Sequence, residues 1–180
     1  CKACGGSEGR EEGSGTRGAF VELFGVEEEV NGEKVDNTTT DATVTNNTSV
    51  MLSTVAQDPN AIGYVSLGSL SDDVKAVKID GAEATAENIE SGTYKISRPF
   101  NVVTKDGLSE TAQDFLNFIM SSQGQEVVAD EGYIPVETST EYSASGLSGK
   151  VTVSGSSSVS PVMEVLADKY KELNSDVTIE

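Results

Sequence analysis

Histidine and tryptophan are both absent from these 180 residues. Without histidine the chain lacks the usual general base of Ser-His-Asp and Cys-His hydrolases and the commonest transition-metal ligand. Basic residues are scarce: 12 Lys and Arg stand against 30 Asp and Glu, a net charge of −18 that repels nucleic-acid backbones and anionic membrane surfaces. No apolar run approaches the roughly 18–20 residues needed to cross a bilayer. The only cysteines, Cys1 and Cys4, lie far from any other soft ligand, which argues against zinc, and Gly5-Gly6-Ser7 is a poor start for the helix that a redox CxxC needs. No catalytic residue, metal ligand or cofactor is nominated. What remains is of globular type: 36% hydrophobic residues and 18 glycines together fall in the roughly 45–50% range of soluble folded chains.

Two readings of the N-terminus stay open. Either Cys1 is the lipid-bearing first residue of a mature bacterial lipoprotein, with residues 1–9 as a flexible tether, or the cysteines are incidental. Beyond it, apolar spacing predicts a helix over 16–24 and a second beginning at Asn46 or Asn47, with Val50, Met51, Thr54 and Val55 inward and Asp58-Pro59 ending it. The acidic stretch 27–43 between them reads as a solvated loop or a short hairpin around Asn31-Gly32. Residues 61–67, 74–79 and 99–103 read as strands from their β-branched and aromatic content, with Asp80-Gly81 as a turn. Ser109 caps the clearest amphipathic helix, with Ala112, Phe115, Leu116 and Ile119 on one face, and 124–130 forms another. Residues 137–149 look like a linker, followed by strand 150–154, a helix over 161–173 and strand 176–180. Alternating strands and helices argue for an α/β fold with mostly parallel sheets.

Two helix starts could hold an anion. Arg10-Glu11-Glu12-Gly13-Ser14-Gly15-Thr16 places a cation, two hydroxyls and two glycines where a helix exposes unpaired N–H groups and its positive dipole end. Gly155-Ser156-Ser157-Ser158-Val159-Ser160-Pro161 repeats the arrangement after a strand. Either one alone is more often an ordinary capped helix; two on one short chain carry more weight. Neither is a P-loop, because no Gly-Lys-Ser/Thr follows at the required spacing. Gly13-Ser14-Gly15-Thr16-Arg17-Gly18 has the letters of a dinucleotide fingerprint but is set aside because the residues before it read as tether rather than strand.

The segments Gly9-Arg-Glu-Glu-Gly-Ser-Gly-Thr-Arg-Gly-Ala-Phe20, Asp58-Pro-Asn-Ala-Ile-Gly-Tyr-Val65 and Arg98-Pro-Phe-Asn101 closely resemble the phosphate-binding protein of phosphate ABC importers, the PstS family. So do Phe115-Leu-Asn-Phe118, Ser122-Gln-Gly-Gln125 and Glu131-Gly-Tyr-Ile134, and Val151-Thr-Val-Ser-Gly-Ser-Ser-Ser158 resembles the family's N-terminal strand and first anion loop. The matching stretches cover 10–136 and 147–180. The resemblance implies an α/β, periplasmic-binding-protein-like type II architecture of two lobes that close on one phosphate. The lobes would be 10–91 and 92–180, the second including the linker. It implies Arg10, Ser14, Gly15 and Thr16 as ligands of one lobe, and Ser157 with Ser158 as part of the other.

Relative to the family pattern the order is circularly permuted and shortened. The segments that supply another anion-binding serine and a proton-accepting carboxylate are missing, as is the strand that normally precedes the arginine motif. A permuted protein, the junction of a tandem duplication, and a partial lobe pair completed by another copy all fit; the first is favoured. The expectation is thus an extracytoplasmic, non-enzymatic protein that binds inorganic phosphate and delivers it to ABC importer membrane subunits. It would have no nucleic-acid partner and touch the membrane only through a lipid on Cys1. A scaffold or adhesion module with a degenerate anion site is the alternative, and a phosphate-ester enzyme a weaker third.

Overall fold

In the computed structural model, residues 8–180 are described, together with all their side chains except that of Glu8. The lipidation expected at Cys1, and the rest of the tether before Glu8, lie outside them. The chain divides into two compact units, one of residues up to Arg98 with Ser156–Ser158, the other of Pro99–Gly155 with Val159–Glu180.

In the first unit, strand β1 (Glu8–Arg10) pairs in parallel with β4 (Thr43–Thr45), Arg10 opposite Thr45. The strand expected to be missing before the arginine motif is therefore present, and it begins inside the stretch read as tether. Helix α1 (Gly15–Leu23) follows, capped by Ser14, whose hydroxyl accepts from the Arg17 N–H at 3.4 Å. β2 (Glu27–Val30) and β3 (Glu33–Asp36) form the acidic hairpin. Its two turn residues, Asn31 and Gly32, both have positive φ (56° and 85°), the geometry that matches the right-handed twist of the flanking strands.

Helix α2 (Thr48–Gln57) starts where Asn47 Oδ1 accepts from the Val50 N–H at 3.1 Å. Of the four side chains expected to face inward, only Met51 is fully buried, while Val50 is 51% exposed. Among the described residues the expected strands at 61–67 and 74–79 do not form: the region holds a single bridge residue at Ile62, a 3-10 turn at Leu67–Ser69, an isolated bridge from Ile79 to Ala82 around Asp80-Gly81, and the short helix α3 (Ala86–Glu90). β-Branched composition makes a strand only where a neighbouring backbone supplies a ladder, and among the described residues pairing here goes no further than single bridges.

The second unit packs α4 (Glu110–Ile119), α5 (Ser122–Asp130) and α6 (Ser160–Leu173) around a parallel pair, β5 (Gly149–Val151) and β6 (Val177–Ile179). Phe115, Phe118 and Ile119 of α4 meet Val162, Leu166, Ala167 and Tyr170 of α6 over Val151 and Val177. Residues 99–103 form no ladder, and Val103 is 90% exposed. The stretch 137–149, read as a linker, is tied down instead. The Ser122 N–H donates to the Thr140 carbonyl at 2.7 Å, and the Gln123 amide bonds both backbone groups of Tyr142 at 2.9 and 3.1 Å. Asp114 Oδ2 accepts three hydroxyls, from Tyr142, Tyr170 and Ser145, at 2.6, 2.7 and 2.8 Å.

Candidate functional site

The first unit gathers all the residues singled out as anion ligands. Arg10 ends β1, and the pairing with β4 fixes its backbone, whose N–H also donates to the Tyr64 hydroxyl at 3.0 Å. Tyr64 is held in turn by stacking on Phe20 of α1, ring centroids 4.2 Å apart and 4° from parallel. The Arg10 side chain is 1% exposed. Its Nη1 donates to Thr48 Oγ1 at 2.8 Å, and its Nη2 to Ser157 Oγ at 2.5 Å and to the Asn46 carbonyl at 3.3 Å. Its Nε is buried and has no acceptor.

Every one of those acceptors is uncharged, and no carboxylate among the described residues lies within ion-pair distance of Arg10. Burying a cation without a counter-charge costs several kcal/mol (roughly, after relaxation), so such an arrangement ordinarily marks a place that an anion completes.

The turn after Arg10 is built for close approach. Gly13 sits at φ +83°, a left-handed conformation that a side chain would strain. It lets Ser14 turn in and cap α1. With the Arg17 N–H capped, the first-turn N–H groups of Gly15 and Thr16 have no intrahelical acceptor. Gly15 has space for a methyl group, the nearest atom being Ser156 Oγ at 3.7 Å, so the protein interior by itself does not demand a glycine there. Thr16 Oγ1 and Ser158 Oγ share a hydrogen bond, and the Ser158 N–H donates to Ser156 Oγ at 3.3 Å. The structure thus joins Arg10 to Ser157 and Thr16 to Ser158, with Gly15 against Ser156. Ser14 contributes through its cap.

Arg17, one turn along, faces away from this cluster of hydroxyls: its Nε pairs with Asp36 at 2.7 Å and its Nη1 donates to the Arg10 carbonyl at 2.8 Å. The side-chain bond that Arg17 donates to Asp36 outweighs the cost of burial and raises the Arg17 pKa. For Asp36, burial pushes upward, but bonds from Thr38 and Arg17 together hold it below the usual carboxylate range.

The dinucleotide reading was set aside for want of a strand, and β1 removes that ground. A different one replaces it. The third glycine of that fingerprint serves close helix-to-strand packing, whereas a methyl group on Gly18 would meet nothing within 4 Å.

Sequence reading missed Asn46, Thr48 and Tyr64 as partners of Arg10. The only signal at Asn47-Thr48 was that of a helix start, and nothing local says that this start lies beside the end of β1. Among the described residues no group of three or more His, Cys, Asp or Glu could hold a metal.

Residues 9–123 match the PBP superfamily domain, and the chain belongs to that superfamily. It is 58% identical over 173 residues to the phosphate-binding protein PstS 2 of Streptococcus agalactiae, a match covering 95% of this chain and 59% of that protein. The chain therefore spans about three fifths of the length of that relative. Both the arginine-motif segment and the later strand, loop and helix fall inside the match, so their order is shared with it.

Among solved structures, the phosphate-binding protein of a phosphate ABC transporter from Streptococcus pneumoniae superposes with a TM-score of 0.79 at 48% identity, covering 98% of this chain and 69% of that one. A phosphate ABC transporter substrate-binding protein from Clostridium perfringens, solved with phosphate bound, gives 0.66 at 40% identity, with coverages of 74% and 52%. The resemblance to phosphate-binding proteins and the α/β type II class expected from the sequence are borne out. The curated relative is named as a phosphate-binding protein and the two solved neighbours as binding proteins of phosphate ABC transporters, none of them as an enzyme.

Proposed function

We propose that this chain forms the anion-holding part of an extracytoplasmic, non-enzymatic phosphate-binding protein that passes phosphate to the membrane subunits of an ABC importer. The observation that carries the reading is Arg10: a buried guanidinium with neutral acceptors on two nitrogens, none on the third, and no carboxylate of the described residues within ion-pair distance. Around it stand the Thr16, Ser157 and Ser158 hydroxyls and the open first-turn N–H groups of α1, donors suited to an oxyanion. The net charge of −18 does not oppose this, since exposed carboxylates are screened beyond about 8 Å at physiological salt. Relatives named for phosphate binding and a neighbour solved with phosphate support the choice of oxyanion.

Among the described residues no helix is long and apolar enough to cross a membrane. Attachment in this proposal is through a lipid on Cys1. Calorimetric titration of the chain with phosphate, arsenate and sulfate, beside the Arg10→Ala variant, tests the reading. Phosphate heat present in the wild type and lost in the variant is expected. A wild type indifferent to all three anions would refute it and leave the scaffold or adhesion reading.

A further inference from the structure

Thr48 is the first residue of α2. Its Oγ1 takes the Nη1 donor of Arg10 at 2.8 Å, while Ser157 Oγ and the Asn46 carbonyl take Nη2. A guanidinium is a rigid planar fork, so anchors on two of its nitrogens fix both its position and its plane. The third nitrogen, Nε, then has a set direction and no partner. We propose that Thr48 is a positioning residue: it orients Arg10 for the anion through an uncharged oxygen, so the cation is aimed without being neutralised. This rests on the phosphate reading and adds to it the residue that sets the arginine's geometry.

Two physical points single out Thr48. A carboxylate in its place would hold the guanidinium more strongly, since attraction between two full charges would add to the hydrogen bond, but it would cancel the charge that a phosphate needs. Thr48 is also itself well fixed. It follows the Asn47 cap at the start of a helix anchored by buried Met51, and its β-branched side chain has few rotamers to choose from. Ser157, by contrast, sits on a loop of consecutive serines, and Asn46 offers only a backbone carbonyl at 3.3 Å.

The test uses the full chain as wild type, Thr48→Val, Thr48→Ser and Thr48→Asp. Each is titrated with inorganic phosphate, unfolded in urea, and measured by NMR of the Arg10 Nε–H and Nη–H signals. Thr48→Val keeps shape and loses the acceptor. It should weaken phosphate about tenfold, the worth of one hydrogen bond to a charged group, with faster rotation of the guanidinium. Thr48→Ser should restore affinity to within about threefold of wild type by returning the oxygen. Thr48→Asp should leave the guanidinium pinned yet weaken phosphate most, by about a hundredfold or more, because the charge is spent on the protein. An acidic residue in the first turn of a helix favours folding, so that loss would not come from a collapsed chain.

Equal affinity of Thr48→Val and wild type would overturn the proposal while leaving the phosphate reading intact, as would Thr48→Ser as weak as Thr48→Val. A wild type that binds no phosphate would instead remove both.

Discussion

Replacing Arg10 with methionine should abolish phosphate binding without destabilising the phosphate-free fold. Arg10 is 1% exposed and makes three side-chain hydrogen bonds, all to neutral acceptors. At about 1.5 kcal/mol each, the low end for bonds involving a charged group, these return roughly 4–5 kcal/mol. Against them stands the cost of taking a guanidinium out of water with no counter-charge, several kcal/mol after relaxation, plus an unpaired buried Nε at about 1–3 kcal/mol. The two sides nearly cancel. Methionine replaces the stem with apolar volume and leaves Thr48 and Ser157, both half-buried, within reach of water.

The expected change in unfolding free energy is therefore about 0 to +2 kcal/mol in favour of the variant. Truncating an ordinary buried side chain would cost about 2–5 kcal/mol. The assay is urea unfolding followed by circular dichroism, with and without phosphate. A ligand at a hundred times its dissociation constant adds about 2.7 kcal/mol to the wild type and should add nothing to the variant. Because the chain has two compact units, the transition that phosphate moves should be the same one that Arg10→Met alters. A variant destabilised by more than about 2 kcal/mol without phosphate would refute the reasoning, because the fold itself would then be using the cation.

Arg17→Ala should leave phosphate affinity within a few-fold, since its guanidinium is committed to Asp36 and to the Arg10 carbonyl, and should lower stability by about 1 kcal/mol; a loss of binding comparable to Arg10→Ala would show that the two arginines have been misassigned. Burial pushes the Asp114 carboxyl upward, but the hydroxyls of Tyr142, Tyr170 and Ser145 together bring it below its ordinary value, so its contribution is present above the usual carboxylate range and lost as pH falls through the depressed value. Asp114→Asn should accordingly lower the unfolding midpoint at neutral pH and shrink the acid-induced drop; an unchanged midpoint at pH 7 would mean the three bonds add nothing. Gly124→Ala should destabilise the second unit by about 1–3 kcal/mol or more, because a methyl group there would lie 2.1 Å from the Phe118 carbonyl and 2.7 Å from that of Ile119, both backbone atoms that cannot swing aside. Thermal melts of the variant would check this, and a wild-type midpoint would contradict it.

What the sequence determined by itself was whatever neighbours along the chain could settle. Asn47 and Ser109 announce helix starts because a cap satisfies an N–H three residues on. The spacing of Ala112, Phe115, Leu116 and Ile119 marks one face of α4, and Asn31-Gly32 can make a hairpin turn whatever surrounds it. Arg10, Gly13, Ser14, Gly15 and Thr16 could be singled out on the same ground, since a glycine-rich helix start with an arginine has its chemistry written in seven consecutive residues.

Tertiary structure decided everything that needs a distant partner. Among the described residues, 61–67, 74–79 and 99–103 have strand composition but no more than single bridges, while Glu8–Arg10, with a glycine between two charges, is a strand because β4 lies beside it. Residues 137–149 look like a linker in composition and are pinned by Gln123, Asp114 and Asn174, none of which is near in sequence. The central feature of the site is of this second kind. An arginine is exposed and salt-bridged by default, and only the fold, by bringing Thr48 and Ser157 to Arg10 from 38 and 147 residues away, makes it a buried cation that pairs with no carboxylate among the described residues.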